Sequence, residues 1–282
     1  MVFVFVLAHS LMAAHLNLEE FSQGRAFWTF LMILSFFLRM RIFDEIKDLD
    51  VDLKVNPTRP LARGLLSVRE AKKTTLFLIV FELCVASSLG RSVFLVHGLA
   101  IGYSLLMFEE FFIGDWLRTK LSTYAVTHTL VSVWLGISCL LGQTPSLLDG
   151  GINATQLSFV LMNWCFFNLF EFARKTFAKS EERPGVESYS SLFSPLGAVV
   201  LSISQSVVGT FLLLLVFKTP FLSSYAWSGP LFFLLSAFYG VTALGFGFFP
   251  RPRMGKIYRG LSSLYLVLHY GVLAGVLLGL GT

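Results

Sequence analysis

Charged side chains are scarce in this chain of 282 residues. Lys, Arg, Asp and Glu make up only 14% of it, whereas apolar residues make up 55%, and the mean hydropathy is +0.72. This composition excludes an ordinary soluble domain, whose surface needs more charge, and indicates an integral membrane protein. The excess of basic over acidic residues is small, a net charge of +5, and requires no nucleic-acid partner.

Cysteine is also scarce, and Cys84, Cys139 and Cys165 all fall in apolar stretches. This placement is typical of small buried side chains and argues against a disulfide scaffold. No Cys/His spacing typical of a metal site is present in the sequence. No segment alternates between polar and apolar residues as the strands of a membrane barrel do. The fold class that remains is all-α.

The sequence is dominated by long apolar runs. Nine of them have about the length that a helix needs to cross a bilayer, although the first is short. They cover residues 2–16, 26–43, 71–90, 93–113, 121–142, 155–173, 195–217, 229–249 and 260–280. Because they leave little chain over, we predict a single membrane domain over residues 1–282, built from about nine transmembrane helices.

The basic residues are distributed unevenly between the two sides of this predicted bundle. Of the 22 Lys and Arg residues, all but Arg25, Arg91 and Lys218 fall in or beside the loops after the second, fourth, sixth and eighth runs. Loops rich in Lys and Arg tend to stay cytoplasmic. We therefore expect these loops and the N-terminus to be cytoplasmic, in a protein of the bacterial inner membrane.

An acidic segment follows the second run. If the helix continues, Asp44, Asp48 and Asp52 step by four residues and share one face, with Glu45 beside them. Carboxylates on one stripe repel each other unless a cation lies between them. Their hard oxygen atoms suit Mg²⁺, which commonly bridges carboxylates to substrate phosphates. The spacing is equally compatible with a solvated acidic loop at the end of a membrane helix.

Most of the other polar groups fall on the same predicted side, near the ends of the fourth and sixth runs and the start of the fifth. They are Tyr103, Glu109, Glu110, His128, Glu171, Arg174 and Lys175. The clusters at the ends of the second and sixth runs are placed to face each other across a central cavity with an aromatic interior. Glu82 lies in the middle of the third run, where a carboxylate usually faces a cavity or a partner.

These motifs resemble the UbiA superfamily of intramembrane prenyltransferases. The second helix of that family ends in Asn-Asp-x-x-Asp-x-x-x-Asp, and here Asp44-Glu45-x-x-Asp48-x-x-x-Asp52 has the same spacing. The Arg-Pro-Leu-x-x-Gly signature that often follows is present from Arg59 to Gly64, although its spacer is about two residues shorter. Helix number and the positions of both clusters extend the resemblance over essentially the whole chain.

The second acidic motif of the family is where this sequence departs. Glu171 fits its first position, but Lys175 stands four residues later where an acid is expected, and Arg174 adds another cation. Gly185 to Ser188 resembles the Gly-x-x-Ser turn that follows this motif, so the alignment holds and the substitution is real. A second Mg²⁺ is therefore in doubt. Arg and Lys side chains are a physical substitute, since they neutralise diphosphate oxygens directly.

The resemblance implies transfer of a prenyl group from a prenyl diphosphate, with Mg²⁺ as cofactor, inside the lipid bilayer. The implied metal ligands are Asp44, Glu45, Asp48 and Asp52, and the implied catalytic residues are Asp44, Asp48 and Glu171. The implied substrate-binding residues are Arg59, Arg174 and Lys175 for the diphosphate, and Tyr103, Glu109 and His128 for the acceptor.

Three functions remain open from the sequence. An apolar or aromatic acceptor, a quinone precursor or a lipid captures the allylic cation in a prenyltransferase. The double bonds of the substrate capture it in a membrane terpene cyclase of the same superfamily. A non-catalytic lipid-binding or carrier protein would keep the scaffold without the chemistry, although a stripe of carboxylates facing a cavity is costly to retain without a cation.

Overall fold

The computed structural model describes residues 1–183, 187–219 and 222–279, and the regular structure in this part of the chain consists of helices, without strands. The α-helices are Val2–Asn17 (α1), Gln23–Lys47 (α2), Leu49–Val55 (α3), Val68–Leu89 (α4), Arg91–Phe108 (α5), Gly114–Arg118 (α6), Leu121–Thr129 (α7), Val131–Gln143 (α8), Ala154–Arg174 (α9), Tyr189–Phe217 (α10), Gly229–Phe248 (α11) and Pro252–Leu277 (α12). The all-α prediction is confirmed.

The apolar runs predicted from the sequence each fall on one of these helices, except the run 121–142, which is divided between α7 and α8. Six helical segments of the described chain are long and apolar enough to cross a membrane, if α7 and α8 are taken together. The remaining runs fall on α1, which has 16 residues, and on the more polar α4 and α9. An integral membrane protein is therefore supported, while the number of nine spans and the central cavity stay predictions.

One end of the bundle collects the charged side chains that lie at the ends of α2 and α9 and just after α5. At this charged end, Lys47 at the end of α2 forms an ion pair with Glu110 just after α5, with 2.9 Å between Nζ and Oε1. The start of α10 meets the end of α9 there through a backbone hydrogen bond from Tyr189 to Lys175. The acidic and cationic clusters predicted from the sequence thus belong to one end of the bundle.

At the opposite end, a basic residue joins three helices. Arg25, near the start of α2, donates hydrogen bonds to the carbonyl oxygens of Leu89 and Gly142, at 2.6 and 2.9 Å. These carbonyls lie in the last turns of α4 and α8, where backbone oxygens have no partner within their own helix. The positive charge of Arg25 is also stabilised at this position by the negative ends of both helix dipoles.

A buried ion network joins the helices of the N-terminal half. Arg39 of α2 donates to both carboxylate oxygens of Glu82 of α4 at 3.1 Å, and the Nε2 of His97 of α5 lies 3.3 Å from the same carboxylate. All three side chains are fully buried. Glu82 therefore has the partner that its position in the middle of a membrane helix required.

Hydroxyl groups join the helices of the C-terminal half. Tyr265 of α12 receives a hydrogen bond from Ser206 of α10 at 3.0 Å and lies 2.9 Å from the hydroxyl of Ser236 of α11. One turn closer to the charged end, Tyr239 of α11 donates to Ser202 of α10 at 3.0 Å. Contacts between uncharged hydroxyl groups, Ser202 with Tyr258 and Thr210 with Ser236 among them, thus join α10, α11 and α12.

Candidate functional site

The predicted acidic stripe continues across the junction between α2 and α3. Asp48 is the residue between the two helices, and its backbone N–H still bonds to the carbonyl of Asp44. The carboxylates of Asp44 and Asp48 repel each other, and Asp48 in turn shares the guanidinium of Arg59 with Asp52. The spacing inferred from the sequence is therefore realised as one line of acids along the charged end.

Arg59 lies on this line of acids. Its Nη1 is 2.6 Å from Oδ2 of Asp52 and 3.4 Å from Oδ2 of Asp48, and the charge of Glu45 attracts it as well. Asp52 is buried and also accepts a hydrogen bond from Asn56 at 3.0 Å. The predicted diphosphate-binding arginine is thus a counterion of the predicted metal ligands in this structure.

Only one carboxylate oxygen of Glu45 has a hydrogen-bond partner among the described residues. Its Oε1 accepts a hydrogen bond from Arg41 at 2.6 Å, whereas its Oε2 is buried without a hydrogen-bond partner among the described residues. An unpaired buried carboxylate oxygen is costly and marks a position that a cation would stabilise. In the described parts of the chain, however, no three acidic, His or Cys side chains are placed together as a complete metal-binding group.

Cations dominate the end of α9. Glu171 forms ion pairs with Arg174 and with Lys175, the latter at 3.2 Å between Nζ and Oε1. Arg174 also attracts Asp44 across the gap between α9 and α2. The acidic cluster of α2 and the cationic cluster of α9 therefore face each other, as the sequence predicted.

A strained turn carries the third polar group of the site. Glu110, Phe111 and Phe112 all have left-handed backbone angles, with φ of 50°, 55° and 58°, which is uncommon for residues other than glycine. The buried carboxylate of Glu110 is held by Arg118 at 2.6 Å and by Lys47. Strain of this kind persists only where the surroundings enforce it, and it occurs most often at functional sites.

The same contacts set the protonation of Glu110. Burial alone would raise the pKa of its carboxyl group, but the hydrogen bonds from Arg118 and Lys47 outweigh burial and lower the pKa below its usual value. Glu110 is therefore an anion that ties α2 to the segment after α5. The neighbouring Glu109, which the sequence analysis selected for acceptor binding, is exposed instead.

Aromatic rings lie directly beneath these charges. The ring of Tyr124 has Nζ of Lys175 at 5.8 Å on one side and the parallel ring of His128 at 3.9 Å. Phe111 of the strained turn packs edge-on against His128 at 5.8 Å and against Tyr103 at 5.4 Å. The site thus changes within one helical turn from charged to aromatic.

Comparisons with known proteins were consistent with this architecture. No protein-family model and no curated sequence matched the chain. Among solved structures, a digeranylgeranylglyceryl phosphate synthase in membranes matches with a TM-score of 0.62 and 14% identity, over 99% of this chain and 92% of that one. A UbiA homologue from Aeropyrum pernix K1 matches with the same score and identity, over 95% of this chain and 97% of that one. The chain has the UbiA fold.

The resemblance inferred from the sequence is thereby confirmed for the fold. The structure brings most of the predicted site residues to the charged end: Asp44, Glu45, Asp48, Asp52, Arg59, Glu171, Arg174, Lys175 and, beneath them, His128 and Tyr103. Residues 185 and 186, the first half of the predicted Gly-x-x-Ser turn, lie outside the described residues.

Sequence reasoning missed Lys47 and Tyr124 as members of the site. Lys47 lies within the acidic stripe, and a lysine at the end of a helix can pair with a carboxylate of a neighbouring segment, as Lys47 does with Glu110. Tyr124 gave no such signal. Its place against Lys175 and Lys47 depends on how α7 packs against α9 and α2.

Proposed function

We propose that the protein transfers a prenyl group, within the membrane, from a prenyl diphosphate to an apolar or aromatic acceptor, a quinone precursor or a lipid. One observation carries this proposal: the cationic end of α9 faces the carboxylates of α2 above a layer of aromatic rings, on the UbiA fold. Such a boundary accommodates a multiply charged head group beside the charged side chains and a long apolar tail among the aromatic rings.

The residues of α2 fit a Mg²⁺ ion of the kind that binds through one or two carboxylates and substrate phosphates. Asp44 and Asp48 repel each other without a cation between them, and Oε2 of Glu45 is buried without a partner among the described residues. These residues would hold the ion, while Asp52 is occupied by Arg59 and Asn56. When bound, Mg²⁺ would supply positive charge at the diphosphate oxygens.

The cations of α9 would serve the leaving group. As the bond between the allylic carbon and the diphosphate oxygen breaks, its electron pair goes to the diphosphate, and charge builds up on those oxygens. Arg174 and Lys175 offer fixed positive charge at this boundary, and cations placed where charge develops favour the transition state over bound substrate. Glu171 would hold both side chains in position.

The aromatic layer would receive the carbon cation left behind. The rings of Phe111 and Tyr103 lie next to the charged residues, and an aromatic face stabilises a cation by roughly 0.5–2 kcal/mol, depending on how well water is excluded. A layer without free water also protects the cation from hydrolysis.

The proposal is tested by incubating the purified protein in lipid nanodiscs with allylic diphosphates of several lengths, with and without Mg²⁺, and measuring released diphosphate. Release that depends on an added acceptor supports prenyl transfer. Release without acceptor, together with a cyclic hydrocarbon, would identify a cyclase instead, and no release with any substrate would identify a carrier. Asp48→Asn should abolish turnover while thermal stability is kept; full activity in this variant would remove Asp48 from the metal site.

A further inference from the structure

His128 lies one layer below the charged groups. It is on α7, which starts at the charged end, and it follows Tyr124 by four residues. One helical turn separates the two residues, about 6 Å along the axis. The two rings stack at 3.9 Å, and Tyr124 contacts Lys47 and Lys175, so the imidazole lies directly next to the charged groups that would hold the diphosphate.

The hydrogen bonding of His128 defines which nitrogen carries the proton. Its Nδ1 is 2.7 Å from the backbone carbonyl oxygen of Tyr124. A carbonyl oxygen only accepts, so Nδ1–H is the donor, and in a neutral ring Nε2 is then a lone-pair acceptor. Nε2 is buried, and no described residue donates a hydrogen bond to it. The ring therefore presents an unused proton acceptor within the site.

The imidazole is held in this orientation on two sides. Tyr124 stacks on it at 3.9 Å with 13° between the ring planes, and Phe111 meets it edge-on at 5.8 Å. The charges of Lys47, Glu110 and Glu171 all act on it. Phe111 belongs to the strained turn, whose conformation is fixed by the ion pairs of Glu110.

The buried histidines of the described chain differ from His128 in place or in partners. Nε2 of His9 contacts Asn163 at 2.6 Å, and Nε2 of His97 contacts Glu82. His269 is fully buried and neither of its nitrogens has a partner among the described residues, but it packs against Phe166 and Phe232 away from the charged end. His269 is therefore a matched control for a buried histidine outside the site.

We propose that Nε2 of His128 is the catalytic base of the transfer and that the acceptor is a hydroxyl compound, an alcohol or a phenol. This inference rests on the proposed function. The hydroxyl of the acceptor donates a hydrogen bond to Nε2. Its oxygen lone pair forms the new bond to the allylic carbon, whose bond to diphosphate breaks with the electron pair leaving on diphosphate, and the hydroxyl proton passes to Nε2.

Two variants isolate the Nε2 acceptor. His128→Phe keeps a ring between Tyr124 and Phe111 without nitrogen, and His128→Asn keeps a donor for the Tyr124 carbonyl without an acceptor at the position of Nε2. In nanodiscs, with an allylic diphosphate and a panel of alcohols and phenols, transfer should fall by about 100-fold or more in both, since general bases typically contribute this much. Binding of an allylic thiodiphosphate, measured calorimetrically, should stay at the wild-type affinity, and His269→Phe should transfer normally.

A third variant, His128→Ala, opens a space in which added imidazole should restore a measurable part of the transfer. Wild-type transfer rates in both His128→Phe and His128→Asn would overturn the inference. A parallel loss of thiodiphosphate affinity would also overturn it, because the ring would then shape the diphosphate site. Wild-type protein that releases diphosphate but transfers to no hydroxyl compound likewise contradicts it, whereas no diphosphate release at all refutes the proposed function itself.

Discussion

The two halves of the bundle are held together by different chemistry. In the N-terminal half, α2, α4 and α5 meet at the fully buried charges of Arg39, Glu82 and His97. In the C-terminal half, α10, α11 and α12 meet through hydroxyl groups such as those of Ser206, Ser236 and Tyr265. A buried ion pair tolerates little displacement, because each charge is very costly without its partner, whereas a hydroxyl contact is weak and has alternatives.

This difference matters for the site because the two halves supply different parts of it. Arg39 lies five residues before Asp44 on the same helix, so the ion network sets the rotation and depth of α2 and hence the position of the acidic stripe. In the C-terminal half, Arg259 of α12 pairs with Glu181 at 2.7 Å near the charged end, but this pair is partly exposed, and no ion pair of the described residues there is fully buried. The buried network of the N-terminal half thus positions the carboxylates, whereas the other half supplies the cations of α9.

The largest expected effect comes from breaking the ion network of the N-terminal half. Arg39→Met leaves Glu82 buried without its main partner, and removal of one member of a buried pair typically costs about 3–5 kcal/mol. Thermal unfolding in detergent should show a large loss of stability. The double variant Arg39→Met with Glu82→Leu should recover much of it. Equal damage in the single and double variants would contradict the network as the cause.

The next effect concerns the cationic end of α9. Lys175→Asp restores the acid found in the family motif but removes a predicted diphosphate contact and repels Glu171, so prenyl transfer should fall by about 10–100-fold. Activity is measured as released diphosphate across a Mg²⁺ titration, and Lys179→Asp, on the 3₁₀ turn after α9, is the control. Higher activity with a stronger dependence on Mg²⁺ would show that a metal, and not a side-chain cation, belongs at this position.

A smaller effect is expected from the carboxylate of Glu110. Its pKa is lowered in the folded protein, so the ionised group contributes stability above the unfolded value of about 4.5, and the contribution is lost as the pH falls through the folded pKa. Glu110→Gln should be less stable than the wild type at pH 7, and the gap should shrink and then close as the pH falls below 4.5 and through the lowered pKa of Glu110. The difference in stability between Glu110→Gln and the wild type is measured by thermal unfolding at several pH values. A gap of constant size would mean that the ion pairs with Lys47 and Arg118 contribute nothing.

The smallest effect is expected in the C-terminal half. Tyr265→Phe removes the hydroxyl that α10 and α11 share, and hydrogen bonds between membrane helices average about 0.6 kcal/mol. The thermal midpoint should change only slightly. A loss as large as that of Arg39→Met would remove the contrast between the two halves.

Much of the architecture could be predicted from the sequence because apolar length and charged ends are local properties. The predicted runs fell on helices, and Asp48 and Arg174 came to the same end, as the positions of basic residues implied. The pairing of Arg39 with Glu82 could not be predicted, since 43 residues separate them and the choice depends on which helices pack together. The left-handed turn at Phe111 was also hidden, because nothing in Glu-Glu-Phe-Phe favours that conformation.

Arg25 shows how a single side chain can mislead a tally of loop charges. It was one of three basic residues on the side predicted to lie outside, yet its guanidinium is occupied by two helix carbonyls and lies at the ends of α4 and α8. In the folded protein this cation is therefore a structural brace that joins α2 to the ends of α4 and α8, rather than a free surface charge.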